Sequence, residues 1–270
     1  MKLRAPATSA NIGAGFDTAA VALDLWNDLE VTDGAGVVVE GEGATELAAD
    51  ETNLAVRAYA LLADPSGKRF SFLNRIPLER GLGSSAAAIA LGLVAAAPDA
   101  SAEELLAAGL TLEPHADNLA AALLGGLTLS WDGKIARIAE RLPLEPIAVI
   151  PKGRTSTERS RLTLPTTVPH EEAAASAGRA ALLGAGAATG DAELFAAALN
   201  DWLHEPYRPS SVLDEVRNSL PAGCAGATLS GSGPTVIAWA SDARCTATEL
   251  RDRFPDHTIL WLDVAPRGAL

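Results

Sequence analysis

The period of apolar positions changes repeatedly along the chain. Leu54, Val56, Tyr59 and Leu62 recur at helical spacing and predict a helix over 52–63. Before it, short apolar stretches at 3–7, 29–32 and 37–40 predict strands, the last with only weak alternation of Val37 and Val39. A second helix starts near Ser84 or Ser85 and runs through alanine-rich sequence. A third starts at Ser101, where Ser101 and Glu104 stand at capping-box spacing. Residues 115–124 are helical in pattern and end at Gly125-Gly126. Asp132-Gly133, between apolar stretches at 127–131 and 134–138, predicts a tight hairpin.

Pro143 and Pro146 suggest a boundary, dividing the chain into 1–145 and 146–270. Beyond it the pattern predicts strands at 147–150, 235–240 and 258–264 and helices at 171–187, 192–202 and 243–254. Hairpins mixed with helices argue for an α+β protein, not a regular parallel α/β sheet.

Composition narrows the function. The longest apolar run, from Ala86 to Ala97, contains Gly92 and falls short of the ~18 residues of a membrane helix. The first residues alternate Lys2 and Arg4 with Leu3 and Ala5, unlike a signal peptide, so the expected location is the cytoplasm. Two cysteines, Cys224 and Cys245, are too few for a secreted disulfide scaffold. The net charge of −13 argues against nucleic acid as a partner and reads mainly as solubility. A small anion held by local donors remains compatible with it.

The segment from Pro77 to Ala87 is the most informative. Gly81 and Gly83 let the backbone approach an anion, and Ser84 and Ser85 follow at a helix start. The free N–H groups and dipole of that helix suit a triphosphate, and a serine hydroxyl beside it can reach Mg²⁺. No Gly-Lys-Ser/Thr stands here, so the loop is not of the Walker kind. Alone it is also compatible with a plain tight turn. Two further runs stand in order with it: Ala5-Pro6-Ala7-Thr8-Ser9-Ala10-Asn11-Ile12-Gly13-Ala14-Gly15-Phe16-Asp17 and Gly226-Ala227-Thr228-Leu229-Ser230-Gly231-Ser232-Gly233-Pro234-Thr235.

Together these segments resemble the GHMP kinases over essentially the whole chain. The resemblance implies a two-lobed fold, with an N-terminal ribosomal-protein-S5-like β-α lobe and a C-terminal ferredoxin-like α/β sandwich lobe. It implies ATP and Mg²⁺, with Pro77, Leu78, Glu79, Arg80, Gly81, Leu82, Gly83, Ser84, Ser85, Ala86 and Ala87 as the nucleotide loop. The N-terminal run looks like that of the homoserine kinases, one branch of the family, so L-homoserine is the implied acceptor and threonine biosynthesis the implied setting. On that match Asn11 and Asp17 contact the substrate.

Leu112-Glu113-Pro114-His115-Ala116-Asp117-Asn118 is similar to the family's Glu-Gly-His-Pro-Asp-Asn element. It makes Glu113, with Ser85, the metal ligand, and places His115, Asp117 and Asn118 at the substrate. Pro114 stands where the family has Gly, and Ala116 where it has Pro. The segment 156–165 resembles a family stretch that brings Thr157 and Arg161 to the substrate, and 200–208 one that ends in Arg208. Arg161 and Arg208 become the pair on the substrate carboxylate, a group arginine grips bidentately. Asp17, Asn118 and Thr157 are the catalytic candidates, with Asp17 as orienter and transfer direct.

His170, His204 and His257 read as core or surface residues, and Lys152, Arg154 and Arg159 as solvated. Mevalonate- or shikimate-type acceptors and a non-catalytic homologue are the competing readings. The Asn11…Asp17 spacing and Glu205-Pro206-Tyr207-Arg208 favour homoserine. Relatives are often homodimers, and this chain is compatible with one.

Overall fold

The structure, a computed structural model, describes residues 1–155 and 160–270. Two sheets organise it. The first contains β1 (Lys2–Ala10), β2 (Ala19–Asp33), β3 (Gly36–Gly41), β4 (Lys68–Asn74), β5 (Leu127–Trp131) and β6 (Lys134–Ala139), in the order β3-β4-β2-β5-β6 with β1 on β2. β3 and β4 are parallel and the other pairs antiparallel. The second has β7 (Glu145–Ile150), β8 (Cys224–Leu229), β9 (Val236–Ala240) and β10 (Thr258–Trp261) in the order β10-β7-β9-β8. With helices between β7 and β8 and between β9 and β10, that order makes a ferredoxin-like sandwich.

Helices α1 (Leu54–Ala60), α2 (Ser84–Ala96), α3 (Ala102–Gly109) and α4 (Ala116–Leu124) precede β5, and α5 (His170–Thr189), α6 (Ala192–Ala197), α7 (Ser211–Asn218) and α8 (Ala243–Arg253) follow β7. α2 buries almost every side chain after its first turn, which explains its apolar sequence. α3 carries the expected capping box, with Glu104 Oε2 accepting from the Ser101 N–H at 2.8 Å. Asp132 and Gly133 both take positive φ, as a two-residue hairpin loop requires.

The main core runs from one sheet to the other. Phe195 meets the fully buried Trp239 edge-on at 5.3 Å, and Trp239 Nε1 donates to Thr228 Oγ1. The chain end returns to the first sheet and the helix packed on it, where the Ala265 N–H donates to the Ala22 carbonyl of β2 and the Ala269 N–H to the Ala122 carbonyl of α4. Among the described residues no helix is long and apolar enough to cross a membrane.

Several elements differ from expectation. β2 reaches back to Ala19 because its alanine-rich first half is buried on both faces and shows no alternation. β4, β8 and α7 were not predicted at all. The helix expected over 52–63 is confined to Leu54–Ala60 and starts after Asn53, whose side chain caps it. The helix expected over 192–202 stops at Ala197, because the Ala198 carbonyl turns away to accept from the Ala14 N–H and Asp201 gathers the N–H groups of Leu203, His204 and Glu205. The last strand ends at Trp261, leaving Val264 to bridge to Leu23 in the first sheet.

A buried clamp fixes the turn after Asp201. Glu205 accepts from the Leu229 N–H at 2.7 Å and from Arg217 at 2.6 Å, and Arg217 also bonds the carbonyls of Ala227 and Leu199. Burial pushes the Glu205 carboxyl up to about 7 while Arg217 pulls it back. Arg217→Ala should lose about 3–5 kcal/mol of unfolding free energy at pH 8, the cost of a buried charge left alone. Adding Glu205→Gln should recover most of it. A single-variant loss under about 1 kcal/mol would mean that Glu205 sits there neutral.

Candidate active site

Three glycine-rich segments meet backbone to backbone. The Gly231 N–H donates to the Ala10 carbonyl, Thr8 N–H to Leu82, and Thr235 N–H to Arg80. Ser230 Oγ donates to the Gly81 carbonyl at 2.6 Å and lies 2.8 Å from Ser9 Oγ. Gly83 has φ +67°, and a Cβ there would come within 1.8 Å of Thr8 Oγ1. Together these contacts set the start of α2 at the edge of a cleft of about 320 Å³. The first-turn N–H groups of α2 have no partner within the helix and present partial positive charge there.

Of the nucleotide-loop residues, Pro77, Glu79, Arg80, Gly81, Leu82, Gly83, Ser84, Ser85 and Ala86 line the cleft. Leu78 and Ala87 do not. Ala87 is buried in the core. Leu78 lines a second cavity of about 270 Å³ with Leu47, Asn53, Leu54, Phe72 and Leu91, and this cavity shares Ser84 and Ser85 with the first. Arg80 spends its guanidinium on the carbonyls of Leu78, Pro151 and Lys152. Arg154 is outside the cleft, paired with Glu46.

The same cleft is lined by Asn11, Asp17, Glu113, His115, Asp117, Asn118, Arg161 and Arg208. Thr157 lies outside the described residues, as does Arg159. Asn11 has φ +61°, which lets its Oδ1 accept from the Asp17 N–H at 2.8 Å while its Nδ2 donates to the Gly231 carbonyl. Asn118 gives its Oδ1 to the Thr8 hydroxyl at 2.7 Å. Arg161, expected on the substrate carboxylate, is bonded to Asp17. Arg208 is buried and reaches the Gly231 carbonyl and His204 Nδ1, and its Nε has no partner among the described residues.

Phe16 stood in the N-terminal motif without an assigned role. Its ring has the guanidinium carbons of Arg161 and Arg208 each 5.7 Å from its centre and stacks on His204 at 5.2 Å. The burial of His204 against it had no signal in a lone Leu-His-Glu. Thr155 and Ser232 also line the cleft.

The acids crowd one another. Asp117 is pushed up to about 6, first by burial and further by Asp17, against the bonds from Asn118 and the charge of Arg161. Glu113 is raised by burial and by Asp117. Burial lowers His115, and Arg161 adds to that. Among the described residues no group of three or more His, Cys, Asp or Glu forms a ready metal cage. Ser85 and Glu113 still fit Mg²⁺, which takes few protein ligands and completes its octahedron with phosphate and water. A cation there would relieve the strained Glu113–Asp117 pair.

The chain is similar to known proteins over most of its length. Residues 53–126 match the GHMP kinases N terminal domain and 179–256 the GHMP kinases C terminal family. A homoserine kinase of Streptomyces avermitilis is 41% identical over 90% of this chain and 86% of its own. One from Clavibacter michiganensis is 41% identical over 93% and 86%. The crystal structure of homoserine kinase from Cytophaga hutchinsonii superposes with a TM-score of 0.85 at 26% identity, covering 100% of this chain and 96% of that one.

Asp117 ties stability to pH. Its folded pKa of about 6 lies above the ordinary 3.8 of an aspartate, so the fold holds the proton more tightly than the unfolded chain does. Stability is therefore withdrawn as pH rises from about 4 to about 6, by about 3 kcal/mol in all. Asp117→Asn removes that loss. In ligand-free protein its melting temperature should match the parent near pH 3.5 and exceed it near pH 7.5. A variant less stable than the parent at pH 7.5 would show that a favourable partner outweighs the burial.

Proposed function

The chain belongs to the GHMP kinases and, within them, to the homoserine kinases; from that premise we propose how its cleft performs the reaction. The protein phosphorylates the hydroxyl of L-homoserine with ATP, giving O-phospho-L-homoserine for threonine biosynthesis. The observation carrying the site reading is that one cleft adjoins the α2 N-terminus, the carboxylates of Asp17, Glu113 and Asp117, and the guanidiniums of Arg161 and Arg208.

In this reading the nucleoside occupies the cavity beside Leu54 and Leu78, and the phosphates lie against Gly81–Ala86. The start of α2 offers N–H donors to charge that develops on the transferring phosphoryl. Ser85 and Glu113 would hold Mg²⁺, which would supply positive charge against the phosphates. Arg161 and Arg208 take the substrate carboxylate and Asp17 its ammonium, with Asn11 fixing Asp17 in place. His115 and Asp117 form the wall of the substrate end.

Asn118 is assigned to the reacting hydroxyl, and Thr157, outside the described residues, is the other candidate for that role. Asn118 acts from a fixed position, because Thr8 holds its carboxamide. The substrate hydroxyl attacks the γ-phosphorus in line, the bond from that phosphorus to the β,γ-bridging oxygen breaks to release ADP, and the hydroxyl proton passes to the transferred phosphoryl group, without a dedicated strong base. Positioning supplies most of the effect, as expected for phosphoryl transfer. The two sheets correspond to lobes 1–145 and 146–270, and the site lies where they meet. The enzyme works in the cytoplasm, and a homodimer is the expected assembly.

A coupled assay across L-homoserine, L-serine, mevalonate and shikimate tests the acceptor. The expected order of kcat/KM is homoserine, then serine, then the acids without an amine. Serine is one methylene short, and a misplacement of about 1 Å can cost about 10²-fold. Mevalonate outperforming homoserine would overturn the acceptor while leaving the kinase. Glu113→Gln should keep ATP affinity and lose about 10²–10³ in turnover, the scale of a lost electrostatic stabiliser. Unchanged turnover at saturating Mg²⁺ would remove Glu113 from the metal site.

A further inference from the structure

His204 is fully buried, yet it faces the substrate end of the cleft through two neighbours. Its Nδ1 is 3.1 Å from an Arg208 terminal nitrogen. Its ring stacks on Phe16 at 5.2 Å with an interplanar angle of 24°. Its backbone is fixed as well, because the N–H donates to Asp201 Oδ2 at 2.6 Å. A guanidinium can only donate, so the Arg208 contact is a hydrogen bond only if Nδ1 accepts. That assigns the ring hydrogen to Nε2, which lies 3.8 Å from the same Asp201 oxygen.

Arg208 needs such a support. It is buried, its Nε lacks a partner among the described residues, and the one other bond it makes to the described residues is to the Gly231 carbonyl at 3.2 Å. A single weak bond leaves an arginine fork free to rotate about its stem. A second acceptor fixed by its own stack and backbone bond removes that freedom.

We propose that His204 is a positioning residue for substrate binding: by accepting at Nδ1 from Arg208 it holds that guanidinium toward the cleft as the seat of the substrate carboxylate. The inference rests on the reading that Arg208 binds the carboxylate. Burial and the neighbouring Arg208 charge push the His204 imidazole down to about 4, which agrees with an imidazole that stays an acceptor at neutral pH.

Three variants test it by steady-state kinetics. His204→Phe keeps an aromatic ring against Phe16 but removes the acceptor. His204→Asn loses the ring but places an amide oxygen near the Nδ1 position. Arg208→Ala reports on the underlying reading. His204→Phe should raise KM for homoserine about 10-fold or more, the scale of a lost bond to a charged group. Its kcat at saturating homoserine and its KM for ATP should stay within about 3-fold, as a purely structural role would not require. His204→Asn should recover most of the KM.

If Arg208→Ala raises KM for homoserine while His204→Phe does not, the positioning role is wrong and the carboxylate reading stands. If neither raises it, both fall. Should His204→Phe fail to fold, the ¹⁵N spectrum of the wild-type imidazoles at pH 7 decides. One signal pair, assigned by its loss in His204→Asn, should show a proton on Nε2 and none on Nδ1. A proton on Nδ1 would overturn the proposal.

Discussion

Everything at the cleft depends on a crossing where three chain segments leave no room for side chains. A Cβ on Gly81 would come within 2.3 Å of the Ser230 carbonyl, and one on Gly83 would strike Thr8. The Ser230 hydroxyl and the Gly231 N–H tie the C-terminal loop to Gly81 and Ala10. These bonds join residues about 150 and 220 positions apart in sequence, and both sheets contribute. The position of the α2 N-terminus, the twist of Asn11 into the left-handed region and the site of Arg208 all follow from where that crossing lies.

Much of the crossing was legible before any coordinates, because its chemistry is backbone chemistry. Glycines adjoining serines at a helix start have few uses, and Gly81–Ser85 carries one of them openly. The Asp132-Gly133 hairpin and the Ser101 cap were legible for the same reason: a local conformation selects the residue. The first half of β2 was not, since Ala19, Ala20 and Ala22 have no polar face to alternate with. Nor was α7, a short helix whose Val212, Leu213 and Val216 give little more than one turn of signal.

Pairings across the chain were the least legible. Nothing local to Asp17 or Arg161 says that they bond each other, and nothing in Leu-His-Glu says that His204 lies under Phe16. The second follows from the turn after Asp201. Asp201 collects three N–H groups, ends the expected helix early and turns His204 inward, while Glu205 anchors the next residues to β8. The residues that carry this turn are polar and buried, a combination that sequence pattern reads as surface.

The Asp17–Arg161 bond has a consequence for acceptor choice. The two charges satisfy each other on the cleft wall, and both side chains are partly exposed. A ligand with only a carboxylate can draw Arg161 away, but Asp17 is then left facing it without a cation. A ligand with only an ammonium leaves the reverse imbalance at Arg161. An amino-acid head carries both charges on adjacent atoms, so it can open the pair and satisfy each half. The exchange replaces one ion pair with two and leaves no group unpaired. Partial exposure keeps the gain of each pair modest. The discrimination therefore comes less from the strength of any one contact than from the penalty a singly charged competitor incurs. An acidic protein can in this way select a zwitterion with local charges alone, whatever the sign of the surrounding surface.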